Sequence, residues 1–273
     1  MTLELGRYGV WLGAPKVDAI LAGEVERLGY GTLWLGGIND SELAAPEVVL
    51  AGTSSITVAT GIVNIWATDA ERTARSYARL AHTFGDRFVL GVGIGHPENT
   101  SEYASPYDTT VGYLDTLAAQ GVPTARTVLA ALGPRVLGLA RSRTAGAHPY
   151  LTIPAHTRRA REILGEGPVL APEQKVVLET DPERARAVAR EFLAPYLGLS
   201  NYLRMLRDVG FAEADLADGG SDALVDQLVL HGDAVTVAAG LRAHRDAGAD
   251  HVAVQPLTDP VRTLGELAPL LDL

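Results

Sequence analysis

Glu26-Arg27-Leu28-Gly29-Tyr30-Gly31-Thr32-Leu33-Trp34-Leu35 and Asp246-Ala247-Gly248-Ala249-Asp250-His251-Val252-Ala253-Val254 share one layout: a helix end, a glycine that stops it, and an apolar strand-forming run. Repetition of that unit builds a (β/α)8 TIM barrel. Working outward, the predicted strands are Tyr8 to Leu12, Thr32 to Leu35, Ile56 to Ile62, Phe88 to Val92, Thr127 to Leu132, Ala147 to Ile153, Glu173 to Leu178 and His251 to Val254. Helical patterns separate them. Val17, Ile20, Leu21, Val25 and Leu28 make one apolar face, and Asp69 to Phe84 another; Pro134 opens a helix and Asp181 caps one reaching Leu197. Pro149 weakens the sixth strand. From 200 to 230 three short helical patterns follow without a strand, so a helical insertion is expected before the last strand. No linker or low-complexity tract interrupts the series, which predicts one barrel domain over residues 1–273, with an open doubly wound sheet as the competing arrangement.

Of the 273 residues 47% are hydrophobic, enough for a large core, which excludes disorder as the main state. The absence of cysteine removes disulfides, thiolate metal sites and cysteine nucleophiles. A net charge of -10 opposes non-specific attraction to nucleic acid or anionic lipid, although a local basic pocket stays open. Met1 to Arg7 carry no basic segment followed by an apolar run, and no stretch reaches membrane-span length. The expectation is a soluble cytoplasmic protein.

In a barrel the functional face follows the C-terminal ends of the strands. The second strand leads to Gly36, Gly37, Asn39 and Asp40, the third to Val63, Asn64, Trp66 and Thr68, and the fourth to Gly93, Ile94, Gly95 and His96. Gly91, Gly93 and Gly95 strip side chains from one face, which admits a flat ring or a phosphate, or serves a tight turn needing positive φ. The spacing is not the dinucleotide fingerprint, because the position about 20 residues on, near Asp115, falls in a helix. Gly133-Pro134-Arg135 begins a helix directly after a strand, where backbone N–H groups, the helix dipole and a guanidinium can meet a phosphate; an ordinary Pro-initiated helix is the plainer alternative. Trp66 reads equally as a ligand wall or as core, and His96 as a proton carrier or a turn residue. His148 and His156 lack metal-ligand spacing, and there is no Gly-x-Ser-x-Gly. No metal is expected.

Five segments carry a family resemblance: Thr60 to Trp66, Arg87 to Gly93, Ala130 to Leu137, Thr144 to Tyr150 and Asp246 to Gln255. In them the chain resembles the luciferase-like oxidoreductases, specifically the branch that uses coenzyme F420. The resemblance implies a barrel holding the deazaflavin against an irregular bulge in the third strand at Ile62, Val63 and Asn64, often with a non-proline cis peptide. It places Gly36 at the strand-two end, Gly93, Ile94 and Gly95 at the ring, and Gly133, Pro134, Arg135, Gly146 and Ala147 along the ribityl phosphate. Two departures stand out. The stretch between His96 and the fifth strand is short, and Gly36-Gly37 replaces the His, Asp or Glu that several relatives carry. His96 is therefore the expected proton donor, supported by Trp66 and Asn39.

The implied activity is hydride transfer between F420 and a small organic substrate. An FMN-dependent monooxygenase and a non-catalytic F420-binding barrel are the alternatives. A homodimer is implied, with no nucleic-acid or membrane partner.

Overall fold

The computed structural model describes residues 3–95 and 105–273; His96 lies outside them. The chain alternates β1 (Tyr8–Gly13), α1 (Ala19–Arg27), β2 (Thr32–Gly36), α2 (Ala44–Ala51), β3 (Thr57–Thr60), β4 (Val63–Asn64), α3 (Ala70–Phe84), β5 (Phe88–Gly93) and α4 (Pro106–Ala119). It continues through β6 (Thr127–Leu129), α5 (Pro134–Arg143), β7 (Gly146–Ala147), α6 (Pro154–Leu164), β8 (Val169–Leu170), β9 (Glu173–Val177) and α7 (Pro182–Leu193). The last third holds α8 (Ser200–Asp208), α9 (Glu213–Leu216), α10 (Asp222–Leu228), β10 (Val229–His231), α11 (Ala234–Asp246), β11 (Val252–Pro256) and α12 (Pro260–Leu267).

Every strand pairing is parallel. Only Ala171 and Pro172 separate β8 from β9, and the gap is bridged: Ala171 N–H donates to the Ala147 carbonyl at 2.9 Å and Ala253 N–H to the Pro172 carbonyl at 2.9 Å. Taking β3 with β4 and β8 with β9 as single strands, the order β1-β2-β3-β5-β6-β7-β8/β9-β11 returns to β1. The sheet closes into the expected eight-stranded barrel.

Burial sorts into three layers. Trp34, Ala59, Val89, Val128, Val169 and Ala253 fill the barrel with Leu3 and Leu5 beneath them. Val10, Leu33, Leu35, Leu90 and Val254 face outward against the helices. Alternate residues of one strand thus serve two cores. A third cluster joins Leu151, Ile153 and Val177 to α7, α8 and α10.

The structure corrects the sequence reading in four places. The sixth strand is only Gly146–Ala147, because Pro149 cannot donate to a ladder. A strand at Val169–Leu170, flanked by Pro168 and Pro172, was too short to read. The segment 200–230 is helical as expected, yet it ends in β10, whose Val229 pairs with Lys175 on the edge of β9 opposite β11. Ile20, expected on the inner face of α1, is 83% exposed, while Ala22 and Val25 are buried.

Candidate active site

The third strand breaks where the family resemblance implied. β3 ends at Thr60, the Gly61-Ile62 peptide is cis, and the chain resumes as β4 beside β5. Several backbone groups at the break are taken up: Gly61 N–H donates to Leu35 carbonyl at 2.8 Å, Ile38 N–H to Ile62 carbonyl at 3.2 Å, and Asn64 N–H to Ile38 carbonyl at 2.9 Å. The Gly61 carbonyl accepts from the Trp11 indole at 3.0 Å. Thr60 clamps the neighbouring strand, its hydroxyl donating to Gly91 carbonyl at 2.7 Å and accepting from Gly91 N–H at 2.8 Å. The bulge therefore stands on a hydrogen-bonded frame that ties it to β2, β5 and Trp11.

Above it opens a cavity of about 1140 Å³ at the C-terminal face of the barrel. That exceeds a typical small-ligand pocket, so it has room for a large cofactor with a second molecule beside it. Of the expected residues, Gly36, Asn39, Ile62, Asn64, Ile94, Gly95, Gly133, Pro134 and Arg135 line it. The others do not. Val63 alternates outward and is completely buried against the helical layer. Gly93 is enclosed, since a Cβ there would lie 2.8 Å from Ala130 Cβ and 3.0 Å from Ile62 Cγ1. Gly146 and Ala147 are buried within β7, and the backbone of Val169 presses on Gly146. Trp66 stands off the cavity, half-buried, its N–H donating to Asn64 Oδ1 at 3.1 Å.

Glycine shapes the wall in two ways. At Gly13, Gly37 and Gly133 a Cβ would meet nothing within 4 Å, so open space faces the backbone. At Gly36 a Cβ would come within 2.8 Å of Trp11 Cε2 and closer to the ring's far edge. That glycine makes room for Trp11.

The helix α5 begins at this wall with Gly133 as an N-cap without a capping side chain, which leaves the positive end of the helix facing the cavity. The Arg135 guanidinium lies 3.7 Å from the centre of the Tyr107 ring. Arg159 and Arg204 join it, so three guanidiniums accompany a single carboxylate, Asp208, among the described lining residues of a chain with net charge -10. The cavity rim carries the opposite sign to the molecule.

The floor carries two residues that face the barrel interior. His148 stacks on Trp34 at 4.0 Å and donates from Nδ1 to the Ala171 carbonyl at 2.7 Å. Burial pushes it down to about 3, so it stays neutral. Tyr150 hydroxyl donates to Gln255 Oε1 at 3.0 Å, and Lys175 Nζ sits 3.8 Å from the centre of its ring. Lys175 is itself buried against Glu173 Oε2 at 2.6 Å.

Sequence reading missed Trp11, Tyr107, Tyr150, Tyr196 and the α8 residues Tyr202, Arg204 and Met205, all of which line the cavity. Trp11 was recoverable as an aromatic at the end of a strand. The α8 residues lie far from any strand end, and no local signal marks them.

Comparison with known proteins fits this geometry. The family model for luciferase-like monooxygenases matches residues 19–119, so the expected luciferase-like resemblance is borne out over those residues. No curated protein matches the chain. Among solved structures the chain is similar to an F420-dependent secondary alcohol dehydrogenase in complex with an F420-acetone adduct, at 13% identity and TM-score 0.75, covering 99% of this chain and 98% of that one. It is similar also to the coenzyme F420-dependent tetrahydromethanopterin reductase of Methanopyrus kandleri (16% identity, TM-score 0.70, 96% and 97% covered). A third is the oxygenating constituent of 3,6-diketocamphane monooxygenase of Pseudomonas putida in complex with FMN (15% identity, TM-score 0.68, 98% and 99% covered). At these identities the likeness establishes the barrel fold.

Proposed function

We propose that this luciferase-like barrel is an F420-dependent oxidoreductase acting on a small organic substrate. The observation that carries the reading is the glycine-walled, arginine-rimmed cavity over the strand-three bulge, which fits a flat, anionic redox carrier. Ile62, Asn64, Ile94 and Gly95 would hold the ring system. Gly133, Pro134 and Arg135 would hold the phosphate at the start of α5, where backbone N–H groups and a guanidinium favour an anion. Arg159 and Arg204 extend the positive rim beyond a single phosphate, which favours the multiply charged F420 over FMN.

When bound, the deazaflavin supplies or takes a hydride at C5. The chain contributes enclosure and proton handling: the aromatic side chains of Trp11 and Tyr196 exclude water, and His96 with Asn39 is assigned the proton that accompanies the hydride.

Separate equilibrium titrations with F420 and with FMN test this reading. F420 binding at micromolar concentration or tighter with negligible FMN binding is expected. Binding of FMN alone would replace the reading by a flavin monooxygenase, and binding of neither would overturn it.

A further inference from the structure

We propose that Trp11 is the plate on which the cavity's second occupant stacks, and that this occupant is a planar, conjugated ring. The proposal rests on the deazaflavin reading of the cavity and concerns the molecule beside the carrier.

Trp11 pairs in register with Trp34 and packs on the inner layer of the barrel. Gly36 stands two residues beyond Trp34 and Gly61 two beyond Ala59, so neither strand end sends a side chain into the mouth of the barrel. The indole occupies that space. A Cβ at Gly36 would run into its six-membered ring, and one at Gly61 would lie 2.7 Å from Nε1 and 3.1 Å from Cδ1. The ring therefore bridges the ends of β2 and β3, and its Gly61 side adjoins Ile62 at the start of the bulge. Nε1–H donates to the Gly61 carbonyl at 3.0 Å, which fixes the plate in its slot.

Two indoles stand in this part of the barrel, and they differ in what covers them. Trp34 is fully buried, with the His148 ring stacked on it at 4.0 Å and nearly parallel at 7°. Trp11 is half-buried and lines the cavity. Among the described residues its aromatic neighbour is Tyr150, 5.1 Å away and tilted by 46°, so no ring lies flat on the Trp11 indole. Its polar hydrogen is engaged by Gly61, and what remains toward the cavity is π surface. Such a face selects by shape. A flat conjugated ring gains stacking in addition to burial, whereas a puckered saturated ring of the same skeleton gains burial alone. Tyr196 extends the wall at 5.8 Å from Tyr150. Burial raises both phenols, so the wall carries no charge at neutral pH that would recognise an ionic group. The cavity of about 1140 Å³ leaves room for such a ring next to a large cofactor.

The test titrates the whole chain, with and without saturating F420, by ligand-observed NMR with two uncharged probes of one skeleton, benzamide and cyclohexanecarboxamide. Wild type should bind benzamide, and F420 should not displace it. Trp11→Leu should lower the benzamide-to-cyclohexanecarboxamide affinity ratio by about two- to tenfold, the worth of an aromatic pair. The ratio cancels the contact area that both probes lose. Trp11→Phe, which keeps a flat ring, should restore most of the ratio. Should Trp11→Leu fail to fold by circular dichroism, the indole N–H resonance of Trp11, assigned through Trp11→Phe, decides: benzamide must shift it more than cyclohexanecarboxamide does. An unchanged ratio in Trp11→Leu, equal shifts of that resonance, displacement of benzamide by F420, or no binding of benzamide by wild type would overturn the proposal. Absence of F420 binding in wild type would remove the cofactor reading alone, because the ratio is also measured without it.

Discussion

Gly36→Ala tests whether the cavity wall is built as described. Any Cβ at position 36 meets the Trp11 ring, with Cε2 at 2.8 Å and the outer ring atoms nearer still. Carbon contacts settle at about 3.5 to 4 Å, so the indole must retreat by about 1 Å or more. Trp11 cannot do so freely, because its Nε1–H is bonded to Gly61 carbonyl at 3.0 Å and its ring packs on Tyr150 at 5.1 Å. Overpacking of a filled site costs about 1 to 3 kcal/mol. Loss of a neutral hydrogen bond adds about 1 kcal/mol, for a total of about 2 to 4 kcal/mol. Gly13→Ala is the internal control: its backbone is extended at φ -60° and a methyl there meets nothing within 4 Å. That change should leave stability equal or raise it by about 0.4 to 1 kcal/mol through the unfolded chain. Urea unfolding followed by far-ultraviolet circular dichroism measures both. A loss below about 0.5 kcal/mol for Gly36→Ala, or one matched by Gly13→Ala, would refute the packing argument.

Three buried histidines predict acid sensitivity. Burial pushes His148 and His244 down to about 3 and His251 to about 4, so the folded protein refuses protons that the unfolded chain takes up below pH 6.5. Stability is full above pH 6.5 and is lost as pH falls toward 3, by about 2 kcal/mol per histidine at pH 5; a urea midpoint that does not move between pH 7 and 5 would contradict this. Glu26 accepts backbone N–H bonds from Ser54, Ser55 and Ile56. Burial raises its carboxyl, and those bonds outweigh it and hold the group at about 2. Glu26→Gln should therefore cost about 1 to 3 kcal/mol at pH 7 and progressively less below pH 4.5, measured by urea denaturation at the two pH values; a cost independent of pH would show that the charge is not involved. His244→Phe should destabilise by about 2 to 4 kcal/mol, because Thr157 Oγ1 at 2.7 Å and Gln174 Oε1 at 2.8 Å lose their shared partner inside the core. A melting temperature within about 2 °C of wild type would exclude that.

The barrel was legible because its units are local. The glycine stops at Gly29 and Gly248 both adopt positive φ, as helix C-termini require, and the strands that follow them are β2 and β11. The bulge at Ile62, Val63 and Asn64 was implied by the family resemblance, and the helix start at the cavity was legible through Gly133-Pro134-Arg135. What the sequence hid is what depends on long-range assembly. Val63 and Asn64 are neighbours with opposite fates, and only the pairing of β4 with β5 decides which side chain faces the cavity. Gly93 and Gly146 looked like ligand contacts, whereas neighbouring strands and the bulge press on them. The wall given by α8 comes from a segment distant from β1 in the sequence, yet in space it closes over the same mouth. Periodicity reports which face of α8 is apolar and is silent on what that face meets.

The most direct test of the account is an F420 titration of wild type beside Gly13→Leu, a substitution that fills cavity space without touching the frame of the bulge. The account predicts saturable binding at one deazaflavin per chain for wild type and an affinity lowered by about tenfold or more in the variant, equal to about 1.4 kcal/mol. Identical titration curves for the two proteins, or a wild type that takes up no F420, would contradict it.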